Sequence, residues 1–248
     1  MSDPANSHTG GQVFPMTRWS LVANAREEGD LDATSALEEL CRTYWPPLYA
    51  YLRRTGHSAH DSEDYTQGFL LSLIQDESLV RADPQRGRLR SFLLGGLKRY
   101  VGRVLRDGNR LKRGGGVERF SLDAVEAEQR YESLLVDEIT PEHLYDRMWV
   151  STLVAGVLKR LEKEMTESGK EKLFQALQGY LLNGASETGA YARTAQDLGI
   201  SEGAVKVAVH RLRGRYRELL LKHITDTLSS SDSLNDEVEY LLGLAGRQ

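Results

Sequence analysis

Residues 191–221 read YARTAQDLGISEGAVKVAVHRLRGRYRELLL, and this stretch decides the fold. Tyr191, Ala192, Ala195 and Leu198 recur at helical spacing and predict a short helix with a small apolar face. Gly199 stops it, because glycine takes the left-handed conformation at a C′ position without a steric penalty. Ser201 offers a hydroxyl to the free N–H groups of a following helix, and Glu202 lies in its favoured first turn. In that second helix Val205, Val209, Leu212, Tyr216 and Leu219 form the apolar stripe, with Lys206, His210, Arg211, Arg213 and Arg217 away from its centre. The pattern is a helix-turn-helix, whose second helix can enter a major groove while its basic residues hold phosphates. An ordinary helical hairpin with a solvated basic face is the other reading of this stretch alone.

Outward from this motif, the chain of 248 residues is long enough for one large or two modest domains. Its composition is that of a globular protein, 40% hydrophobic and 27% charged. Apolar runs are short and helically spaced, and Val/Ile/Thr alternation is scarce, so an all-α fold is expected. No run approaches the roughly 18–20 apolar residues needed to cross a bilayer, and the N-terminus lacks a signal pattern. These readings predict a cytoplasmic protein with no membrane insertion. Cys41 is the one cysteine, which excludes an intramolecular disulfide and a cysteine-rich zinc site.

The net charge of −4 hides a segregation along the chain. From Arg86 to Arg119 there are eleven basic residues, opposed only by Asp107 and Glu118. From Asp123 to Asp146 there are eight acids against Arg130 alone. A solvated face would mix signs. Segregation points to a polyanion-binding surface beside a segment that avoids polyanions.

Domain boundaries follow from composition. Residues 1–17 are polar and Gly-rich and are expected to be a disordered tail, with order beginning at Arg18, Trp19, Ser20 and Leu21. Residues 18–113 form a first helical domain. Its first hairpin, about Asp32 to Arg54, is expected to kink or restart at Pro46-Pro47, where two N–H donors are missing. A second helix opens at Ser58 with HDSEDYTQGFLLSLI, placing Tyr65, Phe69 and Leu73 toward the core and Asp61, Glu63, Asp64 and Gln67 outside. A simple acidic helix start explains this pattern as well.

A third helix, about Arg88 to Leu105, buries Leu89, Leu93, Leu97, Val101 and Val104. Arg99, Arg103, Arg106 and Arg110 recur along one side, with Phe92 and Tyr100 beside them. Cations that hold a backbone and rings that stack on bases are what single-stranded nucleic acid requires, although either ring could equally be core. Gly114 to Gly116 begin a flexible acidic linker over 114–140, which divides two domains because a loop of about 30 residues is too long within one. Residues 141–225 form the second domain, opened by Thr140 as N-cap and Pro141 at the first helical position. Its first helix carries Trp149, Leu153, Val157, Leu161 and Met165, and residues 226–248 add an acidic extension with a short amphipathic helix.

No catalytic chemistry is visible. The six histidines form no ligand pair of H-x-x-x-H type, and His57 and His60 lack a third ligand in view. Neither a Walker nor a nucleophile-elbow pattern occurs. Neither a metal, a cofactor nor an enzymatic activity is expected.

Taken together, DSEDYTQGFLLSLI (Asp61–Ile74), RLRSFLLGGLKRYV (Arg88–Val101) and DLGISEGAVKVAVHRLRGRYRELL (Asp197–Leu220) resemble an extracytoplasmic-function sigma factor of bacterial RNA polymerase. The resemblance covers roughly Trp19 to Lys222. It implies that Asp61, Glu63, Asp64, Gln67 and Phe69 belong to a surface that docks on core RNA polymerase. Arg88, Arg90, Phe92, Lys98, Arg99, Tyr100, Arg103 and Arg106 would then recognise the −10 element of promoter DNA as a single strand. Thr194, Ser201, Glu202, Lys206, His210, Arg211 and Arg213 would serve the −35 element. It also implies an inhibitory, anti-sigma protein partner. The long acidic linker and the helix at Leu234–Leu244 depart from the minimal family pattern; either could dock against a basic DNA-binding face or receive a regulator. A helix-turn-helix regulator working without polymerase, or a sigma-like interaction adaptor, are the alternatives.

Overall fold

The computed structural model describes residues 31–75, 87–106, 124–135, 139–182, 189–228 and 232–245. Within them the chain forms ten helices and no strand, in agreement with an all-α fold. In chain order these are α1 (Leu31–Arg54), α2 (Ala59–Gln75), α3 (Leu89–Arg106), α4 (Ala124–Leu134) and α5 (Pro141–Glu167), then α6 (Glu171–Leu177), α7 (Gly179–Leu182), α8 (Ala190–Leu198), α9 (Glu202–Thr225) and α10 (Leu234–Ala245). The expected tail, the start of order at Arg18–Leu21, Arg110 and the glycines at 114–116 lie outside the described residues.

The architecture is organised on α5. Thr140 caps it by accepting a hydrogen bond from the His143 N–H (3.2 Å), and Pro141 occupies its first turn, where a missing donor costs nothing. Leu144, Tyr145, Met148, Trp149, Leu153, Val157 and Leu161 are buried along its length. Against this stripe pack α1, α4, α6, α9 and α10, with α1 making the most extensive interface. One contiguous core therefore includes Tyr44, Trp45 and Leu48 of α1, Leu93 and Leu97 of α3, Trp149 and Val157 of α5, and Val205 and Leu212 of α9.

Two expectations need correction: that α1 restarts at its prolines, and that the acidic segment lacks structure. Helix α1 runs unbroken from Leu31 to Arg54 with Pro46 and Pro47 inside it. The prolines deprive the Arg42 and Thr43 carbonyls of their usual partners, but burial of Trp45, Leu48, Tyr49 and Leu52 around them holds the helical path. The 114–140 segment, expected to be a flexible linker, contains α4, which packs on α1 and α5. Tyr131 is buried with Ala50, Leu144 and Met148. An acid also fixes this helix: Glu128 accepts hydrogen bonds from Tyr49 Oη (2.5 Å) and from Arg53 Nη2 (2.7 Å) and Nε (3.0 Å).

The α2–α3 crossing depends on one glycine from each helix. A Cβ on Gly96 would stand 2.9 Å from Cζ of Phe69, and one on Gly68 would collide with the Tyr100 hydroxyl. Each glycine admits an aromatic ring of the other helix.

Candidate nucleic-acid interface

Helix α3 turns Leu89, Leu93, Leu97 and Val101 inward. Four-residue and three-residue steps on the far side leave Arg99, Arg103 and Arg106 exposed. The Arg103 guanidinium stands 5.7 Å from the Tyr100 ring centroid, and Arg106 Nε donates to the Gly102 carbonyl at 3.0 Å. Tyr100 itself is half-buried, tilted against Phe69 with ring centroids 6.0 Å apart. Burial raises the Tyr100 pKa, with Arg103 opposing, so the hydroxyl stays protonated. Phe92 is also half-buried and packs on the core. Both rings border the basic stripe while serving the core.

The other candidate cations of this helix are engaged by acids. Lys98 Nζ lies 2.7 Å from Glu142 Oε1 and 5.1 Å from the Tyr51 ring centroid. The hydrogen bond from Lys98 holds the Glu142 carboxyl below its ordinary pKa. Arg88 Nη1 lies 3.0 Å from Glu237 Oε2, and its Nε lies 3.7 Å from Asp232. Arg90 is 3% exposed, so its assignment to a DNA-contacting surface does not hold in this conformation. Its Nη1 donates to Glu237, its Nε donates to Asp146 Oδ1 at 3.0 Å, and its guanidinium lies 5.3 Å from the Trp149 ring centroid. Burial works against the charge on Arg90, but the Glu237 and Asp146 carboxylates more than offset it and raise its pKa. Arg90 adjoins the buried stripe one residue after Leu89, and α5 and α10 close over it.

At the start of α2, Ser58 and Asp61 form a reciprocal cap. The Asp61 N–H donates to Ser58 Oγ at 3.1 Å, and that hydroxyl donates to Asp61 Oδ2 at 2.7 Å. Asp61 and Asp64 are exposed, and Glu63 and Gln67 are half-buried and hydrogen-bonded to each other at 3.2 Å. Phe69 does not join this surface. It is 2% exposed, seated over Gly96, because its position on α2 faces α3.

Helices α8 and α9 meet through a three-residue turn. Gly199 has φ +65°, and its N–H helps to close α8. Ser201 Oγ accepts from the Ala204 N–H at 3.1 Å to start α9. Val205, Val209, Leu212 and Leu219 are buried, which leaves Glu202, Lys206, His210, Arg211 and Arg213 exposed. Glu202 and Lys206 pair at 2.7 Å, and the Lys206 ammonium sits 5.9 Å from the Tyr191 ring centroid. The Thr194 hydroxyl bonds that of Tyr180 at 2.8 Å, and Arg213 donates to the Tyr180 carbonyl at 2.8 and 3.1 Å. Thr194 and Arg213 thus help to seat α7 on the α8–α9 pair, with Tyr180 stacked on Tyr191 at 5.0 Å.

The C-terminal helix docks on a basic face, as one of the sequence readings had it, but the acids that make the contacts were not named there: Glu142 and Asp146 on α5, and Asp232 and Glu237 of the extension. Glu142 and Asp146 belong to the eight-acid block that follows the eleven-base block, and Asp232 and Glu237 to the acidic extension, but their partners depended on which helices came together. Comparison with family models, with curated proteins and with solved structures finds no match to this chain. Among the described residues, no helix is long and apolar enough to cross a membrane.

Proposed function

We propose that this chain is an alternative sigma factor, binding core RNA polymerase and directing it to promoters through −10 and −35 contacts. The observation that carries the reading is the survival of two exposed basic faces on different helices. One is Arg99, Arg103 and Arg106 on α3, bordered by Phe92 and Tyr100. The other is Lys206, His210 and Arg211 in the first turns of α9, which we read as the second helix of a helix-turn-helix. The first suits an opened strand, because cations hold its backbone and bordering rings can stack on its bases. The second suits a major groove, which admits a helix presenting its early turns. Two modest contacts in one chain reinforce each other through effective concentration. The acidic face of Asp61, Glu63, Asp64 and Gln67 remains for polymerase, and the sequence pattern of Asp61–Ile74 supports that role. The halves at 18–113 and 141–225 act as the two promoter-reading units.

A second reading, a helix-turn-helix regulator that needs no polymerase, draws support from the ion pairs that occupy Arg88, Arg90 and Lys98. Promoter-directed transcription with purified core polymerase, with and without this protein, separates the two. Initiation that depends on the protein supports the sigma reading. Initiation indifferent to it, together with retained duplex binding by the protein alone, supports the regulator.

A further inference from the structure

Two of the cations assigned to the opened strand, Arg88 and Arg90, meet the C-terminal helix. Glu237 of α10 has no exposed surface, and both its carboxylate oxygens are committed. Oε1 accepts from Arg90 Nη1, while Oε2 accepts from Arg90 Nη2 at 3.3 Å and pairs with Arg88 Nη1 at 3.0 Å. The same helix reaches α5, where Tyr240 Oη donates to Asp146 Oδ2 at 2.6 Å, beside the Oδ1 that Arg90 holds. The Tyr240 ring also lies 5.8 Å from the Arg90 guanidinium. Leu241 and Leu244 are buried beneath α10, and the Leu89 N–H at the head of α3 donates to the Thr227 carbonyl at 3.3 Å. One short helix therefore ties the head of α3 to α5.

Such a junction is specific without being strongly stabilising. Desolvating ions costs nearly what their mutual attraction returns, so a buried ionic cluster fixes geometry more than it adds net stability. A single wrong partner is expensive, while a polyanion offered to the same guanidiniums replaces Glu237 like for like. This is the behaviour of a reversible catch.

We infer that α10 is an autoinhibitory latch: Glu237 occupies Arg88 and Arg90 in place of a nucleic-acid backbone and must withdraw before they can grip a single strand. The nucleic-acid half of this statement rests on the proposed function, and the mechanical half does not. The test uses the full chain as wild type, Glu237→Gln and Asp232→Asn. Spin labels at Ser91→Cys on α3 and Leu242→Cys on α10, both exposed positions, report the latch directly. Cys41 is buried, its thiol pKa pushed up to about 11 chiefly by that burial, and it does not compete for the label. Wild type should give one short distance, and Glu237→Gln should add a longer population. Binding of a fluorescent single-stranded oligonucleotide across a salt series then reads the released cations. Two further phosphate contacts steepen the log–log salt slope by about 1.4, and Arg88→Ala in the Glu237→Gln background takes back about half of that.

An unchanged distance distribution in both variants overturns the latch, as does a longer distance with an unchanged salt slope. If Glu237→Gln loses helical content, Asp232→Asn decides in the same way with smaller shifts, because it loosens only the Arg88 side. Opening with a steeper slope but no polymerase-dependent transcription upholds the latch and overturns the sigma reading. Polymerase-dependent transcription without opening does the reverse.

Discussion

Replacing Glu128 by glutamine tests whether the acidic segment after α3 is a docked element of the fold. The side chain joins α4 to α1 by accepting from Tyr49 and from both Nε and Nη2 of Arg53, and Arg53 is further fixed by donating to the His57 carbonyl at 2.8 Å. Both members of the ion pair are about a quarter exposed, 23% and 25%, so neither the full cost of breaking a buried pair nor the near-zero value of a surface pair applies. Hydrogen bonds to a charged group contribute roughly 1.5–3 kcal/mol, and glutamine keeps the shape while losing the charge, so a loss of about 2 kcal/mol is expected. For a chain of this size that corresponds to a fall in Tm of about 4–8 °C. The hydrogen bonds from Arg53, foremost, and from Tyr49 hold the Glu128 carboxyl below its ordinary pKa. A carboxylate whose pKa is depressed by folding contributes stability above its unfolded value and loses it as pH falls through the folded value. The difference between wild type and Glu128→Gln should therefore be full at pH 7 and shrink as acid takes the pH below the ordinary glutamate range and through the depressed folded value. Thermal melts at pH 7 and in acid, with hydrogen exchange at the α4 amides, check this. A Tm within about 1 °C of wild type at pH 7 would refute the docking argument, as would a gap that persists undiminished in acid.

Other substitutions probe the remaining contacts. Gly96→Ala should destabilise by up to about 2 kcal/mol, because overpacking against Phe69 of about 1–3 kcal/mol outweighs a helix-propensity gain of about 1 kcal/mol. Gly102→Ala on the same helix, where a new Cβ meets nothing within 4 Å, should stabilise; urea unfolding of the pair would show opposite signs. Ser201→Ala removes the acceptor for the Ala204 N–H and should cost about 1 kcal/mol, read as a Tm shift and as faster exchange at the first amides of α9. If the proposed function holds, Phe92→Ala and Arg103→Ala reduce permanganate reactivity at the −10 element, whereas Lys206→Ala mainly reduces protection upstream; equal loss of both signals in all three would contradict the proposed division of labour.

How much of the site was legible depended on the range of the interaction. The turn at Gly199–Ser201, the cap at Ser58 and the proline at the head of α5 are local devices, and each sits where its residue type requires it. The apolar stripes of α3, α5 and α9 were equally plain, since a period of 3.6 residues is written in the sequence. Arg90 was misplaced because a guanidinium beside a buried stripe is indistinguishable in sequence from one on a solvated face. Phe69 was assigned to two incompatible roles, core and docking surface, and Gly96 resolves that in favour of the core. The segment 124–134 looked weakly structured because acids dominate it, yet Arg53 and Tyr49, distant in sequence, supply the partners that let it pack.

By itself, then, the sequence determined an all-helical chain, the helix spacings, the turn before α9 and the segregation of charge. Those features are settled by neighbours within four residues and by the helical period. Only the tertiary structure decided which charges remain available. The acids of α5 and α10 are brought onto α3 by burial of Trp149, Leu241 and Leu244, not by anything local to the arginines. Whether a cation faces water, a carboxylate or a nucleic acid is set by long-range packing, and that is why one stripe on α3 stays open while Arg88 and Arg90 are closed.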